Sequence, residues 1–338
     1  MTPEQPPRIS VIDPISPAFE KVNLTLFKPF DIGKWFVIGF CAFLAYLGQG
    51  GVGLNFRFNV SYRGQQPAFQ TNQPFQWPED LELDEFIEQA KDFAQQAEDF
   101  AIDNLPWVIL GGSILAMLII TIVVLIIWLS SRGKFMFLHC VALNKAEIKV
   151  PWHKYRRQGN SLFLFQVVVW LISCLLYALF IGVMVFLYII AAGTHSYISV
   201  PVKAALILLS LLIIVPLAIA FILFWKFTND FVVPIMYLRA STCTTAWREF
   251  WALLTSNKGR FTLYILFQIV IAIVIRVILI PLMCIACCCC CIACILSLPY
   301  IGTVALLPIF VFKRSYSLCY FRQFGPDFDV FTPETEAA

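Results

Sequence analysis

Charge is what this chain has least of. Of its 338 residues only 13% are Asp, Glu, Lys or Arg, while 60% are hydrophobic; a soluble domain carries roughly 25% charged residues. A chain so poor in polar groups cannot cover its apolar surface in water, so lipid has to cover it. Histidine is also scarce. His139, His153 and His195 are too scattered to suggest a site. None of the long apolar runs holds an Asp or Glu, which weakens a proton-relay or ion-coupled reading. The net charge is only +3 and no basic face is clustered, which argues against nucleic acid. Gly48, Gly50, Gly51 and Gly53 lack the strand-to-helix context of a phosphate loop, and close helix packing accounts for them. No catalytic, cofactor or metal motif stands out, so neither an enzyme nor a cofactor is expected. The first 32 residues hold no apolar run of signal-peptide type, so the first run reads as an uncleaved span.

What the chain has is length of apolar run. A spanning helix needs about 20 mostly apolar residues. Five runs meet that: Gly33 to Leu54, Pro106 to Leu129, Leu162 to Ala191, Val202 to Phe224 and Leu263 to Ile280. A sixth runs from Ile292 to Phe312. Joined to the fifth as one helix it would far exceed a bilayer, so the chain is expected to turn between them, with Pro281 as the breaker. The fold class is therefore all-α, a polytopic bundle of about six transmembrane helices.

Orientation follows from the Lys and Arg asymmetry. With six spans, nineteen of the 24 basic residues fall on one side, among them Lys21, Lys34, Arg132, Lys134, Lys226, Lys313 and Arg314. The other side holds Arg57, Arg63, Lys91 and Lys203. Both termini are therefore expected in the cytoplasm. The organisation is residues 1–32 as a cytoplasmic segment with an interfacial helix, 33–313 as the membrane domain, and 314–338 as a cytoplasmic tail. Amphipathic stretches before spans one, three and five read as interfacial helices; in the first, Phe19, Val22 and Leu26 share a face. This makes the chain three variants of one helix-pair unit.

Between spans one and two, residues 56–105 form an extracytoplasmic acidic insertion. Phe86, Ala90, Phe93, Ala97 and Phe100 lie on one face of a helix that is otherwise acidic. The stripe either rests on the outer rim of the bundle or is a face for a protein partner; Phe86, Phe93 and Phe100 are its candidate contacts. Membrane lipids are the other expected partner.

Two further features carry candidate chemistry. Cys284, Cys287, Cys288, Cys289, Cys290, Cys291 and Cys294 crowd the outer end of the fifth run. A single helix cannot converge four thiols on a metal; disulfides are open on an oxidising face, and small-residue packing is the plainer reading. Arg276 is the one charge well inside a span, and it either snorkels to the headgroups or holds an anionic group or lipid. Asp230, after the fourth run, is expected to cap a helix.

The stretch Leu26-Phe27-Lys28-Pro29-Phe30-Asp31-Ile32-Gly33-Lys34-Trp35-Phe36 resembles the leading segment of a group of uncharacterised bacterial multi-span proteins. Phe231-Val232-Val233-Pro234-Ile235-Met236, followed by Ala246-Trp247-Arg248, resembles their segment between spans four and five. That group is distantly similar to the membrane domain of some glycerophosphoryl diester phosphodiesterases. The resemblance implies a bacterial cytoplasmic membrane and a six-helix bundle, and brings no activity, because the hydrolytic residues of those enzymes belong to a separate soluble domain. The leading expectation is a non-enzymatic protein that organises or binds partners or lipids in the bilayer. A transporter or lipid-translocating protein using Arg276, and a thiol-based membrane enzyme, are the alternatives.

Overall fold

The computed structural model describes residues 9–47, 105–194, 200–288 and 298–331. The chain divides into two compact units, residues 1–55 with 125–338, and residues 56–124. The described residues are helical nearly throughout: α1 Ile15–Val22, α2 Ile32–Tyr46, α3 Leu105–Leu143, α4 Lys149–Lys154, α5 Arg156–Thr194, α6 Val200–Phe227, α7 Val233–Arg239, α8 Cys243–Ser256, α9 Lys258–Cys288, α10 Pro299–Ala305 and α11 Leu307–Arg322. Wider π turns, Asn23–Phe27 and Thr228–Val232, follow α1 and α6.

Four of these helices, α3, α5, α6 and α9, are long and apolar enough to cross a membrane. The pair α10 and α11, bent by 64°, makes a fifth if it counts as one span. The most apolar stretches of α3, α5 and α6 contain no buried residue at all. In the smaller unit, the described part of α3 from Pro106 to Val124 is exposed throughout. In the larger one, the apolar middles of α5, α6 and α9 show Leu175, Phe186, Leu212 and Ile278 to their surroundings.

The long helices exceed the length that a crossing needs. Both α3 and α5 have 39 residues, about 58 Å at 1.5 Å per residue, against a hydrocarbon layer of about 30 Å. The excess is built into a packed base. From Ser130 onward α3 is buried, and Phe135 to Ala142 form one strip of its core. The drop in hydropathy after Leu129 therefore marks the edge of the apolar stretch and not the end of the helix. Ser, Arg, Gly and Lys there are tolerated in a helix once neighbours cover them.

The base centres on Phe231, whose ring lies 5.3 Å from Phe250, 5.2 Å from Phe261, 5.0 Å from Tyr264 and 5.4 Å from Phe321. Three separate helices, α8, α9 and α11, meet at that π turn. Helix α1 packs along α11, burying Ala18, Val22 and Leu26. Phe19, expected on that buried face, is exposed, although its ring lies 4.6 Å from Phe312. The buried stripe steps Ala18–Val22–Leu26, one residue off, because α11 approaches from that side. Lys21 donates to the Ala142 carbonyl at 3.0 Å. Its burial pulls the ammonium below the usual lysine range, with Cys319 and the Asp329 carboxylate acting in the opposite direction.

Helix α2 is held by close backbone approach on two sides. A Cβ at Gly133 would lie 2.5 Å from the Leu44 carbonyl carbon, and one at Gly39 would lie 2.7 Å from Val304. Only glycine admits α3 and α10 this near. The first expected span, Gly33 to Leu54, is thus represented by a 15-residue helix, about 22 Å long, whose Ile38 to Ala45 face is in the base. Residues 48–54 lie outside the described residues. Pro281 does not break the fifth run: α9 continues through it to Cys288, so any reversal falls in the stretch beyond. A proline late in a helix costs one backbone hydrogen bond and its kink is absorbed where few neighbours press.

Candidate functional site

The base contains a cavity of about 170 Å³ lined by Ala45, Tyr46, Lys134, Phe137, Lys226, Asn229, Asp230, Lys313 and Arg314. Four elements supply these residues in short helical steps. The last turn of α2 gives Ala45 and Tyr46, and the buried half of α3 gives Lys134 and Phe137, three apart. The junction of α6 with its π turn gives Lys226, Asn229 and Asp230, and α11 gives Lys313 and Arg314. Spacings of three and four put side chains on one helix face. The π turn swings the Asn229–Asp230 pair toward α11, and such widened turns are frequent at functional sites.

Four cations therefore face one carboxylate. Asp230 is committed. It pairs with Lys226 at 2.8 Å, one helical turn away, and accepts the Tyr264 hydroxyl at 2.8 Å. Gln268 completes that chain, donating to the Tyr264 hydroxyl at 3.0 Å and accepting from Lys226 at 3.3 Å. Arg314 donates one guanidinium N–H to the Asn229 carbonyl at 2.6 Å, and among the described residues its buried Nε has no partner. Lys134 is 7% exposed, and among the described residues it has neither a hydrogen bond nor an ion pair; its ammonium lies 5.7 Å from the Trp225 ring. Lys313, half-buried, likewise has no carboxylate within ion-pair distance among the described residues. A buried ammonium without a counter-charge is costly, and the one carboxylate of the lining, Asp230, is already paired with Lys226.

The surroundings are packed. The Tyr46 ring meets Phe137 at 6.1 Å and Phe310 at 4.7 Å. Ser130 donates to the Ala45 carbonyl at 3.1 Å, tying α2 to α3 beside the cavity. Beyond Lys134, the Cys243 thiol begins α8; burial pushes it up to about 12, with the Lys134 ammonium opposing. A second cavity, about 180 Å³, is lined by Arg157, Ser161, Ala240, Ser241, Thr242 and Thr245. Its single arginine is exposed.

The residues singled out in the sequence lie elsewhere. Arg276 is exposed on the apolar stretch of α9 and does not line the cavity. Cys284, Cys287 and Cys288 fall in the last turns of α9, and Cys289, Cys290, Cys291 and Cys294 lie outside the described residues. Phe86, Phe93 and Phe100 also lie outside them. His139 is buried beside Tyr237, 3.0 Å from its hydroxyl, and His153 is exposed on α4. Asp230 is not a helix cap: it sits within the π turn and anchors Lys226. The residues that do converge, Lys134, Lys226, Lys313 and Arg314, had registered only as part of the basic side. Their one further signal in sequence is that each follows an apolar run by a few residues, where helix ends gather.

A model of a family of unknown function, DUF7544, matches residues 9–305. No curated protein and no solved structure matches the chain. Nothing in these comparisons links it to the glycerophosphoryl diester phosphodiesterases or to a bacterial source.

Proposed function

The chain belongs to this family of unknown function (DUF7544), and from that premise we propose that it is a non-enzymatic membrane protein that holds an anionic group in the cavity of its packed base. The observation that carries the reading is the charge count of the lining: Lys134, Lys226, Lys313 and Arg314 against Asp230 alone, which Lys226 already engages. A ligand that brings negative charge relieves the buried cations, and the low local dielectric strengthens the attraction. Asp230, the one carboxylate of the lining, is taken up by Lys226 and Tyr264, so binding fits this lining better than turnover.

The exposed apolar stretches of α3, α5, α6 and α9 are covered by lipid in this reading, with the base on the cytoplasmic face. Both termini lie on that face, and the membrane is a bacterial cytoplasmic membrane, as the resemblance of the Leu26–Phe36 segment implies. The stripe of Phe86, Phe93 and Phe100 in the acidic insertion, which lies outside the described residues, serves a protein partner. The transport reading gains no support, because Arg276 is not among the residues around the cavity.

The test is thermal unfolding of the full-length protein in detergent, at constant ionic strength, with sulfate and with phosphate added. Binding to the folded form raises the midpoint with ligand concentration. The wild type should respond to at least one of them and Lys134→Met should not. A wild type indifferent to both refutes the proposal.

A further inference from the structure

Resting on the anion-holding reading above, we infer that the group the cavity takes is a terminal phosphate of nearly two negative charges, either the phosphomonoester of a phosphatidate-type lipid headgroup or free inorganic phosphate, in preference to a carboxylate or a phosphodiester. The cavity is small. At about 170 Å³ it falls below the roughly 300–1,000 Å³ of pockets that enclose drug-sized ligands. A compact anionic group fits this space, and any larger ligand has to extend beyond it.

Charge then selects among compact anions. Lys226 is engaged by Asp230, and the same carboxylate oxygen accepts from Tyr264. That leaves Lys134, Lys313 and Arg314 without a carboxylate among the described residues. A carboxylate or phosphodiester brings one negative charge and leaves most of this excess buried. A phosphomonoester carries about −1.5 to −2 at pH 7 and three strong acceptor oxygens. Three cationic side chains and three oxygens form a matched set, and hydrogen bonds between ionised partners are about twice as strong as neutral ones. Asp230 opposes any anion from the α6 side, so the ligand is directed to the side formed by α3 and α11. The Tyr46 and Phe137 rings, 6.1 Å apart, form an apolar wall that limits competing water.

The two sources share this chemistry and differ in whether a tail is required. The experiment uses the full-length protein in phosphate-free detergent. It is titrated with short-chain phosphatidate, with phosphatidylglycerol of the same chains, and with inorganic phosphate alone. Phosphatidate should bind at least about tenfold more tightly than phosphatidylglycerol, the effect of roughly one charge-assisted hydrogen bond. Lys134→Met and Lys313→Gln should each weaken phosphatidate by about the same factor. The ligand-free unfolding midpoint of Lys134→Met should not fall, which a merely structural lysine would not permit. Inorganic phosphate binding as tightly as phosphatidate assigns the site to free phosphate; markedly weaker binding assigns it to the lipid; both uphold the inference. Equal, Lys134-dependent binding of the two lipids overturns it while leaving anion binding intact. Absence of any Lys134-dependent binding removes both.

Discussion

The two halves of helix α5 obey different rules within one continuous rod. From Val168 to Ile189 most of its large apolar side chains, Leu175 and Phe186 among them, are exposed; at its start, Gln158, Gly159, Leu162 and Gln166 are buried. The more hydrophobic half is thus the less buried one, the reverse of a soluble helix. Lipid tails are as apolar as leucine, so the exposed half gains little by packing against its neighbours. The half that leaves the hydrocarbon meets water and behaves like a soluble core. It carries polar and cationic groups into that core, which is why the base and not the spans contains the candidate site.

If that contrast is right, substitutions in the base should be expensive and the same chemistry in the spans nearly silent. Phe231→Ala empties the centre of the aromatic cluster. It should cost about 3–5 kcal/mol, whereas Leu212→Ala, at a 71% exposed position, should stay within about 0.5 kcal/mol. Chemical unfolding in detergent measures both, and a large loss at Leu212 would mean that the spans are covered by protein.

Alkaline pH should strike the base next. The Cys243 thiol is raised from 9.0 to about 12, chiefly by burial. A raised folded-state value means the neutral thiol is favoured in the fold. Its contribution is therefore complete below pH 9 and is lost as pH climbs from there toward 12. Unfolding free energy followed across that window should decline less steeply in Cys243→Ala than in the wild type.

Glycines sharpen the same comparison. Gly133→Ala forces a methyl against the α2 backbone at 2.5 Å and should cost about 1–3 kcal/mol. Gly111 and Gly112, in the apolar part of α3, have nothing within 4 Å of an added Cβ. Alanine there should be neutral or add up to about 1 kcal/mol through helix propensity. The smallest effect expected is at Lys134: Lys134→Met should leave the ligand-free midpoint unchanged or slightly higher, since it removes an unpaired buried charge.

Much of the fold could be read from hydropathy, and the site could not. Pro106 to Leu129 and Leu263 to Ile280 stand out because an unbroken apolar run has few other uses. The helices that carry them reach further, to Leu143 and Cys288. Hydropathy reports the medium a residue faces, while helix ends depend on backbone partners. Pro281 was expected to mark a turn, yet α9 passes through it. Asp230 was expected as a cap, yet its neighbours across the base, Tyr264 and Gln268, give it a different role. Arg276 drew attention as an isolated charge, whereas Lys134 and Arg314 were hidden among the many basic residues of their side.

The order of apolar runs and the helical class follow from the amino-acid sequence by itself, because each is a property of a local stretch and its solvent. The convergence of Lys134, Lys226, Lys313 and Arg314 was decided only by tertiary structure. These residues come from three helices far apart in the chain, and what joins them is the glycine-thin contact of α2 with α3 and the π turn after α6. Whether a cation ends up paired, solvated or buried alone depends on which neighbours the packing brings to it, and no single segment contains that information.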